Sequence, residues 1–181
     1  MKRSVAALVL ALAGLSMWIA PAAHAGGASG TFQLISNDDF GQAANGDHVL
    51  VTGTGTFSVH PKSISATGNF THFDPEGNVV AEGTWTATEL LSLNFYGCRF
   101  IPALGVDLGD DNLCGGALKM RVVLDTPTGQ LPAILTIFCI VGPKAPASHN
   151  TPPGEGVTLN IPGIINFNHT AHGNNIYVRA G

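Results

Sequence analysis

The stretch VTGTGTFSVHPKSISATGNFTH, residues 51–72, decides the fold of this chain. Hydroxyl-bearing residues alternate with glycine and apolar residues in both of its halves. A period of two is typical of strands with one buried face, because successive side chains point to opposite sides of a sheet. Between the halves, the segment HPKS (60–63) supplies a turn in which proline fixes φ. The stretch therefore predicts an antiparallel hairpin with an inner and an outer face.

Burial selects a register for this hairpin and for the next one, which turns at DPEGN (74–78). We expect Val59 to face Ile64 in the first hairpin, and His72 to face Val79 across a bulged turn in the second. These registers place ten apolar side chains on one inner face: Val51, Phe57, Val59, Ile64, Ala66, Phe70, Val79, Ala81, Trp85 and Ala87. They also align Gly55, Gly68 and Gly83 across three strands, where glycine lets an aromatic ring lie over the backbone or lets the sheet coil sharply.

The outer face of the same strands carries hydroxyls. Thr52, Thr54, Thr56 and Ser58 alternate with the inner residues of the first strand. An ordered array of this kind suits ice contact or adhesion to a surface. A solvated strand face of good β-propensity explains it as well, and we prefer this explanation because a twisted barrel wall is not flat.

The rest of the chain continues the strand pattern. Outside the N-terminus no stretch shows helical periodicity with caps. Strand candidates recur at 31–36, 48–59, 63–73, 79–88, 90–97, 117–125, 132–141, 156–161, 163–168 and 175–179. The Pro-rich segment 142–156 is predicted to be a surface loop. This succession predicts an all-β antiparallel meander that closes into a single β-barrel of about eight strands.

The N-terminus has the features of a secretory signal. Lys2 and Arg3 precede an apolar run, and Ala23-His24-Ala25 matches a small-x-small cleavage site. We expect residues 1–25 to be a signal peptide and residues 26–181 to form one secreted or periplasmic domain, without a membrane anchor after cleavage. A retained anchor is the weaker alternative, because the uncharged run is barely long enough to span a bilayer. Without Lys2 and Arg3, six basic residues face twelve acidic ones, a net charge of −6 that argues against nucleic acid or an anionic membrane as partner.

Three cysteines follow the signal: Cys98, Cys114 and Cys139. In an oxidising compartment two of them can pair. We expect Cys98–Cys114, which closes a Pro- and Gly-containing loop and contributes roughly 3 kcal/mol in the chain-entropy model. Cys139 lies in an apolar run and is expected to be a buried free thiol, although its pairing with either of the others stays open.

The sequence lacks the usual catalytic and cofactor motifs. It has no G-x-S-x-G, no H-E-x-x-H and no Gly-rich phosphate loop, so no cofactor is expected and a non-catalytic role is preferred. His169 and His172 form the only close histidine pair; we place them in the turn of the last hairpin, with no acidic or thiol ligand nearby, and expect no metal site. The carboxylate pairs Asp38-Asp39 and Asp110-Asp111 are assigned to loops.

The segments GTGTFSVHPKSISATGNFTH (53–72) and GNVVAEGTW (77–85) resemble a group of small exported bacterial proteins to which no activity is attached. In architecture alone, a Gly-rich meander with an aromatic interior is similar to calycin-like barrels such as lipocalins, dirigent proteins and allene oxide cyclases. This resemblance implies a fold and transfers no functional residue.

The leading functional hypothesis is an exported barrel that binds an apolar small molecule near Phe57, Phe70, His72 and Trp85. An alternative is an isomerase or cyclase in which the barrel moulds an apolar substrate and His72 or a carboxylate at the mouth assists the reaction; Asp74 and Glu76, in the adjoining turn, are expected to lie close to His72. A third is adhesion or ice contact through the Thr-rich outer face.

Overall fold

Eight antiparallel strands close into a barrel in the computed structural model, which describes residues 30–99, 112–147 and 154–180. The strands are β1 (Thr31–Ala43), β2 (His48–Val59), β3 (Lys62–Phe73), β4 (Val79–Arg99), β5 (Leu113–Thr126), β6 (Gly129–Cys139), β7 (Gly156–Ile161) and β8 (Ile165–Ala180). Each strand pairs with the next, and β8 pairs back to β1. The predicted all-β barrel of about eight strands is confirmed. In the described part of the chain, no helix has the length and apolarity needed to cross a membrane.

The first two hairpins differ in register from the prediction by two residues. Phe57, not Val59, faces Ile64, because the turn contains only His60 and Pro61. In the second hairpin His72 faces Ala81 rather than Val79, and the expected bulge lies between His72 and Phe73. A shift of two residues leaves every side chain on its predicted side of the sheet.

The inner face is therefore mostly as predicted. Five of its ten members are buried: Val51, Phe57, Ala66, Phe70 and Trp85. Val59, Ile64, Ala81 and Ala87 are partly buried. Val79 is the error, with 56% of its surface exposed. The pairing of β4 with β5 begins only at Thr84, so the start of β4 extends past its neighbour and Val79 is left uncovered.

Glycines leave space above the backbone for an aromatic ring, but they are not aligned across the strands as predicted. Gly53 faces Gly68, and Gly68 faces Trp85 on its other side. A Cβ atom on Gly53 would overlap the Trp85 ring. The indole nitrogen of Trp85 donates a hydrogen bond to the carbonyl of Thr52 at 2.9 Å, which fixes the ring across the two strands.

Two long strands replace four predicted short ones. β4 spans both 79–88 and 90–97, with three register irregularities along its pairing with β5. β8 begins at Ile165, two residues after the start predicted for 163–168, and continues through 175–179. His169 and His172 therefore lie within a strand and not in a turn. Each bulge inverts the inside–outside alternation, and the sequence pattern therefore appears interrupted.

The disulfide is confirmed as Cys98–Cys114, which links directly opposed residues of β4 and β5. Cys139 is a buried free thiol, as predicted. Disulfides persist in oxidising compartments, so this one is compatible with an extracytoplasmic location. The predicted signal peptide, Asp110-Asp111 and part of the 142–156 segment lie outside the described residues.

The barrel has two different ends. Four short connections, residues 44–47, 74–78, 127–128 and 162–164, lie at one end, which we call the turn end. The turn at 60–61 lies at the other end, where β4 and β6 end and β5 and β7 begin, and we call it the loop end. Between them the interior is packed: the Phe57 ring stacks on Phe32 with centroids 5.1 Å apart and meets the edge of Tyr177 at 5.3 Å.

Candidate functional site

An apolar cavity of about 80 Å³ lies inside the turn end, and we call it the mouth cavity. Its walls come from seven of the eight strands, all but β1, and one turn, with side chains of Val49, Phe70, His72, Ala81, Leu124, Thr126, Leu131, Leu159, Ile161, Ile164, Ile165 and Phe167. The volume is about half of the roughly 150 Å³ cavity known to admit benzene. The mouth cavity therefore has room for the end of an apolar molecule and not for a whole drug-sized ligand.

Large apolar side chains are also exposed to solvent at the turn end. Among the described residues, the exposed large apolar side chains are Val79, Val80 and Ile164, at 56%, 56% and 63% exposure. All three lie at the turn end, and Ile164 is also part of the cavity wall. Exposed apolar groups gathered at one end of a monomer commonly mark a binding surface.

His72, which lines the mouth cavity, is paired with a carboxylate. Nε2 of His72 lies 2.7 Å from Oδ2 of Asp47, and both side chains are largely shielded from solvent. The turn before β2 holds Asp47 in place, since its carbonyl accepts the backbone N–H of Ala43. The imidazole also packs edge-on against Phe167, at 5.1 Å between ring centres. This arrangement fixes the ring orientation and occupies one of its two nitrogens.

Asp74, predicted to lie close to His72, has other hydrogen-bond partners. Asp74 accepts hydrogen bonds from the backbone and side-chain nitrogens of Asn78, at 2.7 and 2.8 Å, and these bonds hold the pKa of its carboxyl below the ordinary value. Asp47 was missed because β1 was predicted to end at residue 36. The Asn45-Gly46 turn signal immediately before Asp47 indicates that β1 continues up to a hairpin turn at these residues.

The structure brings together two of the four predicted ligand-binding residues. Phe70 and His72 both line the mouth cavity, with Ile164 and Phe167 as additional members. Phe57 and Trp85 share the inner face with them but do not line the cavity; Phe57 lies two residues before the loop-end limit of β2, where it contacts Phe32 and Tyr177.

A second group of inward-facing polar residues lies toward the loop end. This polar cluster consists of Ser36, Asp39, Glu155 and Asn175. Oδ1 of Asp39 accepts hydrogen bonds from the Asn175 amide at 2.7 Å and from the backbone of Asn174 at 3.2 Å, and Ser36 donates to Oδ2. Burial raises the pKa of Asp39 from 3.8 to about 7, against the effect of these bonds. The prediction that Asp38-Asp39 is a loop is wrong: both residues lie in β1, at a bulge that turns Asp39 inward.

Glu155 takes the place of a missing strand partner. β7 begins only at Gly156, so β6 and β8 lose their shared neighbour beyond this point. The Glu155 carboxylate accepts the backbone N–H of Ile140 at 2.9 Å and that of Asn175 at 3.4 Å. Burial raises its pKa and also that of the adjacent Cys139 thiol. Because Asp39 is fully buried, we assign the cluster an architectural role.

Two further predicted features concern metal ligands and the hydroxyls of the outer face. Within them, no three or more His, Cys, Asp or Glu side chains are grouped so as to hold a metal ion. On the outer wall, Thr54 lies beside Thr67 and Thr67 beside Thr86. Ser58, predicted to face solvent, is only 7% exposed.

Fold and cavity together define the class of this protein: a closed, eight-stranded antiparallel β-barrel with an apolar cavity at one end. No family model matches the chain, and no curated protein or solved structure shows significant similarity to it. The functional argument therefore rests on the geometry of the site.

Proposed function

We propose that this protein is an exported, calycin-like barrel that binds the apolar end of a small molecule at its turn end. The observation that carries the proposal is the mouth cavity, whose wall includes the exposed side chain of Ile164, with Val79 and Val80 exposed at the same end of the barrel. Eight-stranded barrels are either just filled by side chains or just wide enough for one ligand. The interior of this barrel is filled by side chains except at one end, where the mouth cavity remains.

The size of the cavity limits the mode of binding. An apolar chain would place its terminal groups in the mouth cavity and lay the following ones on the exposed apolar rim. Each buried methylene contributes about 0.8 kcal/mol, or roughly fourfold in affinity. Affinity is therefore expected to rise with chain length and to level off once the chain extends past the rim.

The test is a titration of the protein with straight-chain alcohols from butanol to octanol, followed by NMR of the Ala81, Ile164 and Ile165 methyl groups. We expect saturable shifts that strengthen by roughly fourfold for each added methylene before the plateau. Ala81→Leu adds three carbons at the cavity wall and should abolish the shifts of the remaining methyl groups. Thr54→Ala, on the outer wall, is the matched control and should bind as the wild type does. Absence of saturable shifts in the wild type, or unchanged binding by a folded Ala81→Leu variant, would refute the proposal.

The His72–Asp47 pair favours a second candidate, an isomerase or cyclase acting on an apolar substrate. A carboxylate that orients an imidazole is a common arrangement for a general base. Each ligand identified by titration should be incubated with the protein and re-analysed for isomerised or cyclised product. Turnover that His72→Gln removes while binding persists would support this candidate, and recovery of every ligand unchanged would contradict it.

Export is part of the proposal and has its own test. The signal-like pattern of residues 1–25 and the Cys98–Cys114 disulfide support it. After expression with the intact N-terminus in a bacterial host, mass spectrometry of the extracytoplasmic fraction should find a chain that begins at Gly26. A chain that keeps residues 1–25 and stays in the cytoplasm would count against export.

A further inference from the structure

A second depression lies next to the mouth cavity, on the outside of the barrel wall, and we call it the outer groove. It measures about 630 Å³ and is lined by Asn69, Phe70, Thr71, Glu82, Gly83, Thr84, Asp125, Thr126 and Pro127. The groove exists because the pairing of β4 with β5 begins at Thr84. Residues 79–83 of β4 run past the end of β5, and the gap beside the turn at 127–128 stays open.

The outer groove and the mouth cavity share two lining residues. Phe70 and Thr126 line both of them. Gly83 makes room for this arrangement, since a Cβ atom there would come within 3.1 Å of Cε1 of the Phe70 ring and would clash with the backbone of Asp125. A hydroxyl-, amide- and carboxylate-lined groove thus adjoins an apolar cavity at Phe70 and Thr126.

The outer groove is acidic. Glu82 and Asp125 both line the outer groove, and within the described residues the ion pairs are His72–Asp47 and Arg121–Glu89, so neither groove carboxylate is neutralised by a basic side chain. The four connections at the turn end contain Asp47, Asp74 and Glu76 and no lysine or arginine. The potential at this end favours a cation and disfavours an anionic head group.

We propose that the outer groove and the mouth cavity together form one site for a cationic amphiphile of the alkylammonium class. The ammonium group lies between Glu82 and Asp125, with the hydroxyls of Thr71 and Thr84 as hydrogen-bond acceptors. The alkyl chain follows Phe70 and Thr126 into the mouth cavity. This inference rests on the proposed function for the apolar end of the ligand and adds the charge and chemistry of its head group.

The experiment compares three ligands of equal chain length at pH 7: octylammonium, octanol and octanoate. In low salt we expect octylammonium to bind most tightly and octanoate most weakly. Glu82→Gln and Asp125→Asn should each weaken octylammonium about 1.5- to fivefold, the range of an exposed ion pair, and leave octanol unchanged. Glu76→Gln removes an exposed carboxylate of the same end outside the groove and serves as the matched control. High salt should reduce the preference for octylammonium, because exposed charges are screened.

The outcomes separate this inference from the proposed function. If octanol shifts the Ala81, Ile164 and Ile165 methyl groups but octylammonium binds no more tightly, or keeps its affinity in both groove variants, the head-group assignment is wrong and the apolar site stands. If octylammonium binds through Glu82 without shifting these methyl groups, the combined site is overturned. If none of the three compounds produces saturable shifts, both proposals fail.

Discussion

Away from the turn end the barrel interior is filled, by the aromatic rings of Phe32, Phe57 and Tyr177 and by the polar cluster, whereas at the turn end an apolar cavity is left empty. The polar cluster satisfies backbone groups of β8 and of the residue after β6, which have no strand partner before β7 begins. Its polar groups are therefore explained by the architecture of the barrel. No comparable reason exists for the void among the described residues. At about 24 cal/mol per Å³, a cavity of about 80 Å³ costs the fold about 2 kcal/mol. An apolar void that the fold retains at this cost is the better place to look for binding.

The largest expected effect tests the loop end through pH. Burial raises the pKa of Asp39 from 3.8 to about 7, so between these values the folded state holds a proton that the unfolded state has lost. The free energy of unfolding should therefore fall as pH rises from about 4 to 7, by about 4 kcal/mol from this group alone, and level off above it. Urea unfolding at a series of pH values measures this slope.

Asp39→Asn is the matched variant for that measurement. Its amide oxygen can still accept from Asn174 and Asn175, while the ionisation is gone. Most of the slope should disappear, and the remainder reflects Glu155, whose pKa burial also raises. A wild-type protein that gains stability over the same pH range would show that Asp39 is ionised without penalty and that the loop end is not dry.

The next effect concerns the covalent link at the loop end. Replacing both cysteines, Cys98→Ala with Cys114→Ala, should lower the free energy of unfolding by about 3 kcal/mol, the value for a loop of this length. The two residues are 16 positions apart and directly opposed across β4 and β5. Denaturant unfolding of the double variant and of the reduced wild type should agree. Unchanged stability in both would mean that the segment between them is already constrained without the bond.

The smallest effect contrasts an empty site with a filled one. Ala81→Val adds two methyl groups beside the mouth cavity and should stabilise the fold by about 1 kcal/mol, because the void is partly filled. Ala133→Val makes the same change in the packed interior, where the alanine is 2% exposed, and should destabilise by about 1 kcal/mol or more through overpacking. Equal effects of the two substitutions on the denaturation midpoint would remove the distinction between the regions.

The sequence was sufficient for the strand pattern and for the two faces of the sheet. Phe70 and Trp85 both point inward, because alternation fixes the parity of each position. It was not sufficient for the register, since moving a strand by two residues exchanges no side chain between faces. The geometry of the turn at His60 and Pro61 decides between such registers, and apolar patterning carries no information about it.

The same limit explains what was predicted of the site. Parity places Phe57, Phe70, His72 and Trp85 on one face, but the position of each along the barrel axis depends on register, and only Phe70 and His72 reach the mouth cavity. Asp39 was assigned to a loop because a polar doublet in an apolar strand resembles a strand end. A bulge makes such a doublet compatible with a strand by sending one residue inward and the other to solvent.

Closure of the barrel places the two described chain ends side by side, since Thr31 of β1 is paired with Ala180 of β8. Both therefore leave from the end opposite the mouth cavity. A fusion partner, an affinity tag or a surface tether joined at either position would orient the molecule with its cavity pointing away from the attachment. Protein immobilised through either of these two positions should accordingly present the same accessible face.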